Sequence, residues 1–128
     1  MSSADAGGRK RRRLSRSGEF DRVYREGSSN ANRFLVVYSF PRGEQEAGEP
    51  RLGVSVGRKV GGAVDRNRIK RALREAFWGL EGELPADHDF VLVARTEISA
   101  LFEREGAKGV QESLREALDL SPEKDRLT

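Results

Sequence analysis

The sequence predicts one small α+β domain, and three observations support this prediction. Its 128 residues suffice for a single hydrophobic core but not for two. Three segments have apolar residues at the spacing of an amphipathic helix, and three others alternate from face to face as strands do. The chain has no cysteine, which excludes disulfides and thiolate chemistry.

The charge is distributed unevenly along the chain, although its net value is only +3. Residues 1–74 contain 18 Lys and Arg against 8 Asp and Glu, whereas residues 75–128 contain 6 against 13. A basic half of this kind attracts polyanions, so the candidate partners are nucleic acid, an anionic membrane or an acidic protein. The N-terminus has no apolar stretch of signal-peptide length, and no segment is apolar enough to cross a membrane. We therefore expect a cytoplasmic location.

The composition also predicts the domain boundaries. Residues 1–13 have few apolar side chains and an unbroken cationic run at 9–13, which predicts a disordered basic arm. Residues 14–120 form the predicted α+β domain, and residues 121–128 form a C-terminal tail.

The first predicted helix follows the basic arm. Ser17 can cap it, and Gly27 can end it. Phe20, Val23 and Tyr24 share one face at spacings of three and four residues. The last predicted helix covers about residues 110–120, after a segment that Gly106 and Gly109 interrupt. Its predicted core positions are Val110, Leu114, Ala117 and Leu118.

Three segments alternate as strands. In "NRFLVVYSF" one face carries Phe34, Val36, Tyr38 and Phe40, of which we assign Phe34 to the core. In "DFVLVAR" the two faces carry Phe90, Leu92 and Ala94, and Val91, Val93 and Arg95. In "RLGVSVG" the face opposite Leu52, Val54 and Val56 carries only Gly53, Ser55 and Gly57. We call this face, which lacks large side chains, the bare face of the strand. It leaves room for a packed helix or a ligand to lie close to the backbone.

The segment "AVDRNRIKRALREAFW", residues 63–78, predicts a strongly cationic helix. At 100° per residue its core stripe consists of Ile69, Ala72, Leu73, Ala76, Phe77 and Leu80. The opposite side carries Asn67, Lys70, Arg71, Arg74 and Trp78, with Arg66 and Arg68 on the flanks. A solvated face is the simple interpretation. The planar fork of arginine suits phosphate better than solubility requires, and Asn67 and Trp78 add a hydrogen-bonding group and a predicted stacking surface.

The segment "GRKVGGAVDRNRIKRALREAF" closely resembles the signature of the bacterial ribonuclease P protein component. The matching positions are Val60, Ala63, Arg66, Asn67, Arg68, Ile69, Lys70, Arg71, Leu73 and Arg74. The resemblance extends to "RLSRSGEFDRVYREGSSNANRFLVVY", "RLGVSVGRK" and "DFVLVAR", so it covers about residues 13–120. It implies a mixed β-sheet packed with three helices in the order α-β-β(-β)-α-β-α. The implied fold is ribosomal-protein-S5-domain-2-like, with a left-handed crossover that common topology rules disfavour.

The resemblance also implies a function. Proteins of this family are accessory subunits of ribonuclease P, an endoribonuclease whose catalytic centre is in its RNA subunit. The enzyme removes the 5′ leader of precursor tRNA with Mg²⁺, which the RNA mainly holds. The implied partners are thus the catalytic RNA and precursor tRNA, with no membrane, no small-molecule cofactor, and no catalytic or metal-binding residue in the protein.

Two sets of binding residues follow from the resemblance. The predicted catalytic-RNA-binding residues are Arg66, Asn67, Arg68, Lys70, Arg71, Arg74, Arg58 and Lys59. The predicted leader-binding residues are Phe20, Tyr24 and Tyr38, whose rings would stack on bases of any sequence. A place in the ordinary core is the alternative for Phe20.

Other functions remain as alternatives. A non-catalytic protein that binds structured RNA, such as a ribosomal protein, would share the size and the basic arm. A DNA-binding module would need a second helix joined to the cationic one by a short turn, and no such helix is predicted. A protein nuclease would need a catalytic or metal cluster, for which the sequence offers only His88 between Asp87 and Asp89. We interpret these three residues as a solvated turn, and "GRKVGG" lacks the spacing of a phosphate-binding loop.

Overall fold

The helices and strands follow the predicted order. The computed structural model describes residues 17–42, 49–85 and 87–119. The elements are α1 (Ser17–Glu26), β1 (Ser28–Ala31), β2 (Leu35–Pro41), β3 (Arg51–Ser55), α2 (Ala63–Gly79), a short 3-10 helix (Glu81–Glu83), β4 (His88–Ala94) and α3 (Ile98–Ala117). The predicted α+β class is confirmed, with β1 as the optional additional strand. The predicted basic arm and C-terminal tail lie outside the described residues.

The four strands form one mixed sheet in the order β1-β2-β4-β3. β2 is antiparallel to both β1 and β4, whereas β3 and β4 are parallel. Parallel neighbours need a crossover connection, and α2 lies in the segment that joins β3 to β4. One rung of the sheet runs from Ser29 through Tyr38 and Val91 to Gly53.

The sheet separates two apolar clusters of unequal size. On one side α2 and α3 cover the main core, to which Leu35, Leu52 and Leu92 contribute from the strands. On the other side α1 covers a small cluster, in which Val23 and Val91 are fully buried. The alternation predicted for the three strands is therefore confirmed, because successive side chains point to different clusters. The bare face of β3 lies on the α1 side, since Gly53 pairs with Val91.

Two details of the predicted architecture are wrong, and the residues of one strand were left unassigned. The optional strand β1 was not located in the sequence, because its four exposed polar and small residues show no alternation and are ordered by pairing with β2. Helix α3 begins at Ile98 rather than near residue 110, and Gly106 (φ 68, ψ −155) absorbs a kink inside it. Phe34 does not share a face with Tyr38. It precedes β2, where its amide donates to the side chain of Asn32, and its ring packs against the main core.

Candidate nucleic-acid interface

The cationic helix α2 has the predicted core stripe. Ile69, Leu73 and Phe77 are buried in the main core, as are Ala72, Ala76 and, just beyond the helix, Leu80. This stripe packs against α3 and the sheet, which leaves Asn67, Arg68 and Arg71 on the solvent side of α2. Among the described residues, no helix has the length and apolar character needed to cross a membrane.

The cations of α2 differ in their exposure. Arg68 and Arg71 are exposed, as is the neutral Asn67, and Arg66, Lys70 and Arg74 are partly buried. Arg58 and Lys59 are exposed in the turn before α2, which the Val60 amide closes by donating to the Gly57 carbonyl. The structure thus places all eight predicted catalytic-RNA-binding residues on α2 or in the turn that leads to it.

Arg68 lies apart from the other cations, on the flank of α2 that faces α3. Its side chain is 63% exposed, and Nη1 lies 3.8 Å from Asp65 Oδ1. Its guanidinium carbon is 5.3 Å from the centre of the Phe102 ring, a cation–π distance. Phe102 and Asp65 therefore hold Arg68 over the groove between the two helices. Phe102 was not singled out from the sequence because only the tertiary contact of α3 with α2 brings it there.

Trp78 is not the predicted exposed stacking surface. Its side chain is only 9% exposed, and its ring meets the Phe77 ring edge-on with centroids 4.9 Å apart. Trp78 lies in the last turn of α2, and Leu80 connects the end of this helix to the 3-10 helix. At this end of α2, side chains are buried over a wider part of the helix circumference than the spacing of the core stripe predicts.

The three predicted leader-binding aromatics contact one another on the α1 side of the sheet. The ring centres of Phe20 and Tyr24 are 6.3 Å apart, and those of Tyr24 and Tyr38 are 4.9 Å apart at an interplanar angle of 75°. We call these three residues the aromatic row. Tyr24 is 39% exposed, and Phe20 and Tyr38 are partly buried. Burial chiefly raises the pKa of Tyr24, with smaller effects from Tyr38 and Asp21, so its hydroxyl stays protonated at neutral pH.

The bare face of β3 accommodates one member of the aromatic row. A Cβ atom at Gly53 would lie 2.4 Å from Cζ of Phe20, closer than real contacts allow. Glycine at this position therefore lets the Phe20 ring lie directly on the sheet. Two alternatives were predicted for this face, a packed helix or a ligand, and the structure shows the packed helix.

The prediction that Asp89 belongs to a solvated turn is wrong. Asp89 is fully buried in β4 on the α1 side of the sheet. Arg51 donates to both of its oxygens at 2.8 Å, Arg42 donates to Oδ1 at 2.7 Å, and Arg22 donates to Oδ2 at 3.4 Å. Burial by itself would raise the pKa of Asp89, but the hydrogen bonds from Arg51 and Arg42 bring it below its usual value. We call these four residues the arginine cluster.

His88 and its two acidic neighbours do not converge on a common point. His88 Nδ1 lies 3.0 Å from Asp87 Oδ1, whereas Asp89 contacts the arginines. Within residues 17–42, 49–85 and 87–119, no group of three or more His, Cys, Asp or Glu side chains could hold a metal ion.

Comparison with known proteins identifies the family. The family model named Ribonuclease P matches residues 9–118. The ribonuclease P protein component of Shouchella clausii is 41% identical over 114 residues, which cover 89% of this chain and 92% of that protein. The chain belongs to the ribonuclease P protein family. The Bacillus cereus ribonuclease P protein component is 37% identical over 119 residues, covering 84% of this chain and 98% of its own length.

Solved ribonuclease P proteins share the fold. The Staphylococcus aureus protein superposes with a TM-score of 0.73 at 36% identity, covering 85% of this chain and 94% of its own. The Thermotoga maritima protein gives a TM-score of 0.70 at 36% identity, covering 80% and 90%. The predicted family and fold are confirmed. Membership makes the chain a subunit of an endoribonuclease complex that processes tRNA.

Proposed function

We propose that this ribonuclease P protein binds the catalytic RNA through α2 and the 5′ leader of precursor tRNA through the aromatic row. It thereby assists the Mg²⁺-dependent endonucleolytic removal of the leader. The observation that carries the proposal is the contact among Phe20, Tyr24 and Tyr38 on the sheet face opposite α2. The two binding surfaces are thus separate, so one subunit can hold the ribozyme and the substrate at once.

The charge of α2 supports the assignment to the catalytic RNA. Like charges four residues apart, as at Arg66, Lys70 and Arg74, each destabilise an isolated helix by a few tenths of a kcal/mol. A polyanion offsets this cost. Arg68 lies over Phe102, so its long side chain is already partly ordered in the free protein. Less conformational entropy is then lost when RNA binds.

The exposure of the aromatic row supports the assignment to the leader. Stacking on aromatic rings is worth about 1–3 kcal/mol per base and tolerates any sequence, as binding of variable leaders requires. Tyr24 offers the largest exposed surface, and its neutral hydroxyl can donate a hydrogen bond without repelling phosphates.

The proposed role in cleavage is binding and positioning. The described residues provide no cluster for a metal ion, so we assign Mg²⁺ mainly to the catalytic RNA, where it would activate the attacking water. The protein would hold the leader on one side of its sheet while α2 contacts the RNA on the other.

Replacement of Tyr38 by alanine tests the leader site. Loss of one stacking ring should weaken the affinity of the reconstituted enzyme for precursor tRNA by about 5- to 150-fold. Mature tRNA should bind as before, because it has no leader. Tyr38→Phe, which keeps the ring, is the matched control and should retain precursor binding. Melting curves should be recorded alongside, because a destabilised protein would confuse the comparison.

The proposal would be contradicted by a specific result. A Tyr38→Ala protein that is folded and assembles normally with the catalytic RNA, yet still distinguishes precursor from mature tRNA as the parent does, would exclude this surface as the leader site.

A further inference from the structure

Helix α1 is held to the sheet by little apolar contact. Among its described side chains, residues 20–26, only Val23 is fully buried. It packs in the small cluster with Val91, whereas the main core on the other side of the sheet contains many more buried side chains. Of these side chains besides Val23, only the partly buried Phe20 ring, which lies on Gly53, adds a large apolar contact with the sheet, so little buried area opposes a small roll of α1 about its axis.

Arg22 and the aromatic row lie on opposite flanks of this contact. At 100° per residue, Arg22 is displaced by 100° from Val23 in one direction, and Phe20 and Tyr24 are displaced by about 60° and 100° in the other. A roll of α1 about its axis would therefore change the distance between Arg22 and Asp89 and, at the same time, shift the Phe20 and Tyr24 rings relative to Tyr38. The position of Arg22 is geometrically linked to the tilt of the two rings.

Arg22 contacts Asp89 of the arginine cluster and one aromatic ring. Its Nη2 lies 3.4 Å from Asp89 Oδ2, and its guanidinium carbon lies 4.9 Å from the centre of the Phe40 ring. Asp89 is itself held in place by Arg51 and Arg42, which bind it at 2.7–2.8 Å from outside α1. Asp89 and Phe40 also face each other across β4 and β2. Within the cluster, Arg22 is the member that connects α1 to this fixed point.

We propose that Arg22 and Asp89 are positioning residues, which fix the roll of α1 and so set the Phe20 and Tyr24 rings against Tyr38. This inference rests on the proposed leader site. The alternative role for Arg22, whose side chain is 31% exposed, is a direct contact with a leader phosphate. The two roles differ in their dependence on salt, because a direct phosphate contact releases counterions from the RNA and a contact between protein groups does not.

The test compares Arg22→Met with Arg25→Met in the full chain. Methionine keeps much of the aliphatic length of arginine and removes its charge, and Arg42 and Arg51 still neutralise Asp89 in the first variant. Arg25 is the matched control, because it is an exposed arginine of the same helix that donates to the Asp21 carbonyl of its own helix at 3.5 Å. Two quantities are measured: hydrogen exchange of the α1 amides, and the affinities of the reconstituted enzyme for precursor and mature tRNA at several salt concentrations.

Arg22→Met should raise the exchange rate of the α1 amides roughly 5-fold, as expected for loss of one partly exposed cation–π and ion-pair contact. The affinity for precursor tRNA should fall by about 2- to 5-fold and no further. The Arg22 contact orders α1 before RNA binds, so its loss cannot weaken binding by more than the strength of that contact. Mature tRNA affinity and the salt dependence of precursor binding should stay unchanged. Arg25→Met should leave the exchange rates of α1 and the discrimination between the two tRNAs at parental values.

Three outcomes would overturn the proposal. Unchanged exchange in Arg22→Met would show that the contact does not restrain α1. A salt slope lowered by about 0.7 would assign Arg22 to a leader phosphate instead. Faster exchange with intact discrimination would reject the positioning role alone if Tyr38→Ala loses discrimination. If Tyr38→Ala also keeps it, the proposed leader site fails as well.

Discussion

Asp89 joins three segments of the chain through one buried carboxylate. Its partners are Arg22 in α1, Arg42 after β2 and Arg51 in β3. Burying a carboxylate costs several kcal/mol unless it is paired, and here three short, charge-assisted hydrogen bonds from Arg42 and Arg51 offset that cost. The cluster lies at one end of the sheet, on the side that α1 covers, where apolar side chains are few.

Replacement of Asp89 by asparagine should destabilise the fold by about 3 kcal/mol. The variant leaves Arg42 buried beside a neutral amide, although the partly exposed Arg22 and Arg51 can regain water, which places the loss at the low end of the range for broken buried ion pairs. Denaturant unfolding at neutral pH measures the difference. The matched control is Asp87→Asn, whose partly exposed carboxylate should change stability by no more than about 0.5 kcal/mol. An equal effect of both substitutions would contradict the assigned role of the cluster.

The contribution of Asp89 should depend on pH with a definite sign. Its pKa is lower in the folded chain than the ordinary value of 3.8, so the ionised form favours folding. The stabilisation is fully present above pH 3.8 and is lost as the pH falls through the lower pKa of the folded state. The difference in unfolding free energy between the parent and Asp89→Asn should therefore shrink in acid. A difference that stays constant down to a pH below the folded pKa would show that ionisation of Asp89 is not its source.

At the scale of the elements, α2 has two separate roles, because it packs in the core and also carries the cations. Its apolar stripe fills the main core, and its cations occupy other sides of the helix, where Arg66, Lys70 and Arg74 are partly buried. Arg68 also contacts Phe102 of α3. Helix α1 differs from α2 in that its aromatic side chains serve both packing and the proposed binding of leader.

Simultaneous replacement of Arg68, Arg71 and Arg74 by alanine should weaken binding to the catalytic RNA and leave the fold intact. Each lost phosphate contact should lower the slope of log K against log salt by about 0.7–0.9. Arg104→Ala is the control, because Arg104 is an exposed arginine of α3 that pairs with Glu105. Affinity measured over a series of salt concentrations decides the matter. A triple variant with parental affinity and slope would show that this side of α2 is simply solvated.

At the scale of the whole molecule, the sheet acts as a partition between α1 and the pair α2 and α3. In the proposed function the ribozyme lies against the helical side and the leader against the other. A small subunit can thus connect two RNAs without a second domain.

The protein without its RNA partner should not cleave precursor tRNA, because the proposed function places the catalytic centre in the RNA. Added to a cognate catalytic RNA, it should restore cleavage at Mg²⁺ concentrations too low for that RNA alone. Cleavage rates with protein, RNA and both together, measured across a Mg²⁺ series, test this expectation. Nuclease activity that follows the concentration of RNA-free protein through purification would contradict it.

Short-range patterns in the sequence determined most of the fold. The spacing of Ile69, Leu73 and Phe77 identifies the buried side of α2, and the alternation in "DFVLVAR" identifies the two faces of β4, because both depend on neighbours within a few residues. The signature that contains Arg66, Asn67 and Arg68 indicated the family for the same reason. It is a local run of residues, and its recognition needs no knowledge of the tertiary structure.

Only the tertiary structure decided which side chains meet across long distances in the chain. Arg22 and Asp89 are 67 positions apart, and Asn32 and Ser113, which connect the β1–β2 turn to α3, are 81 apart. Such pairs leave no periodic pattern in the sequence, so the burial of Asp89 was missed. The start of α3 at Ile98 was missed because Gly106 and Gly109 interrupt the pattern of a helix that packing holds together across a kink. Trp78 was placed in solvent because helical spacing describes a single helix, whereas its burial depends on what packs around the end of α2. Long-range packing and the pairing of buried charge decided these positions.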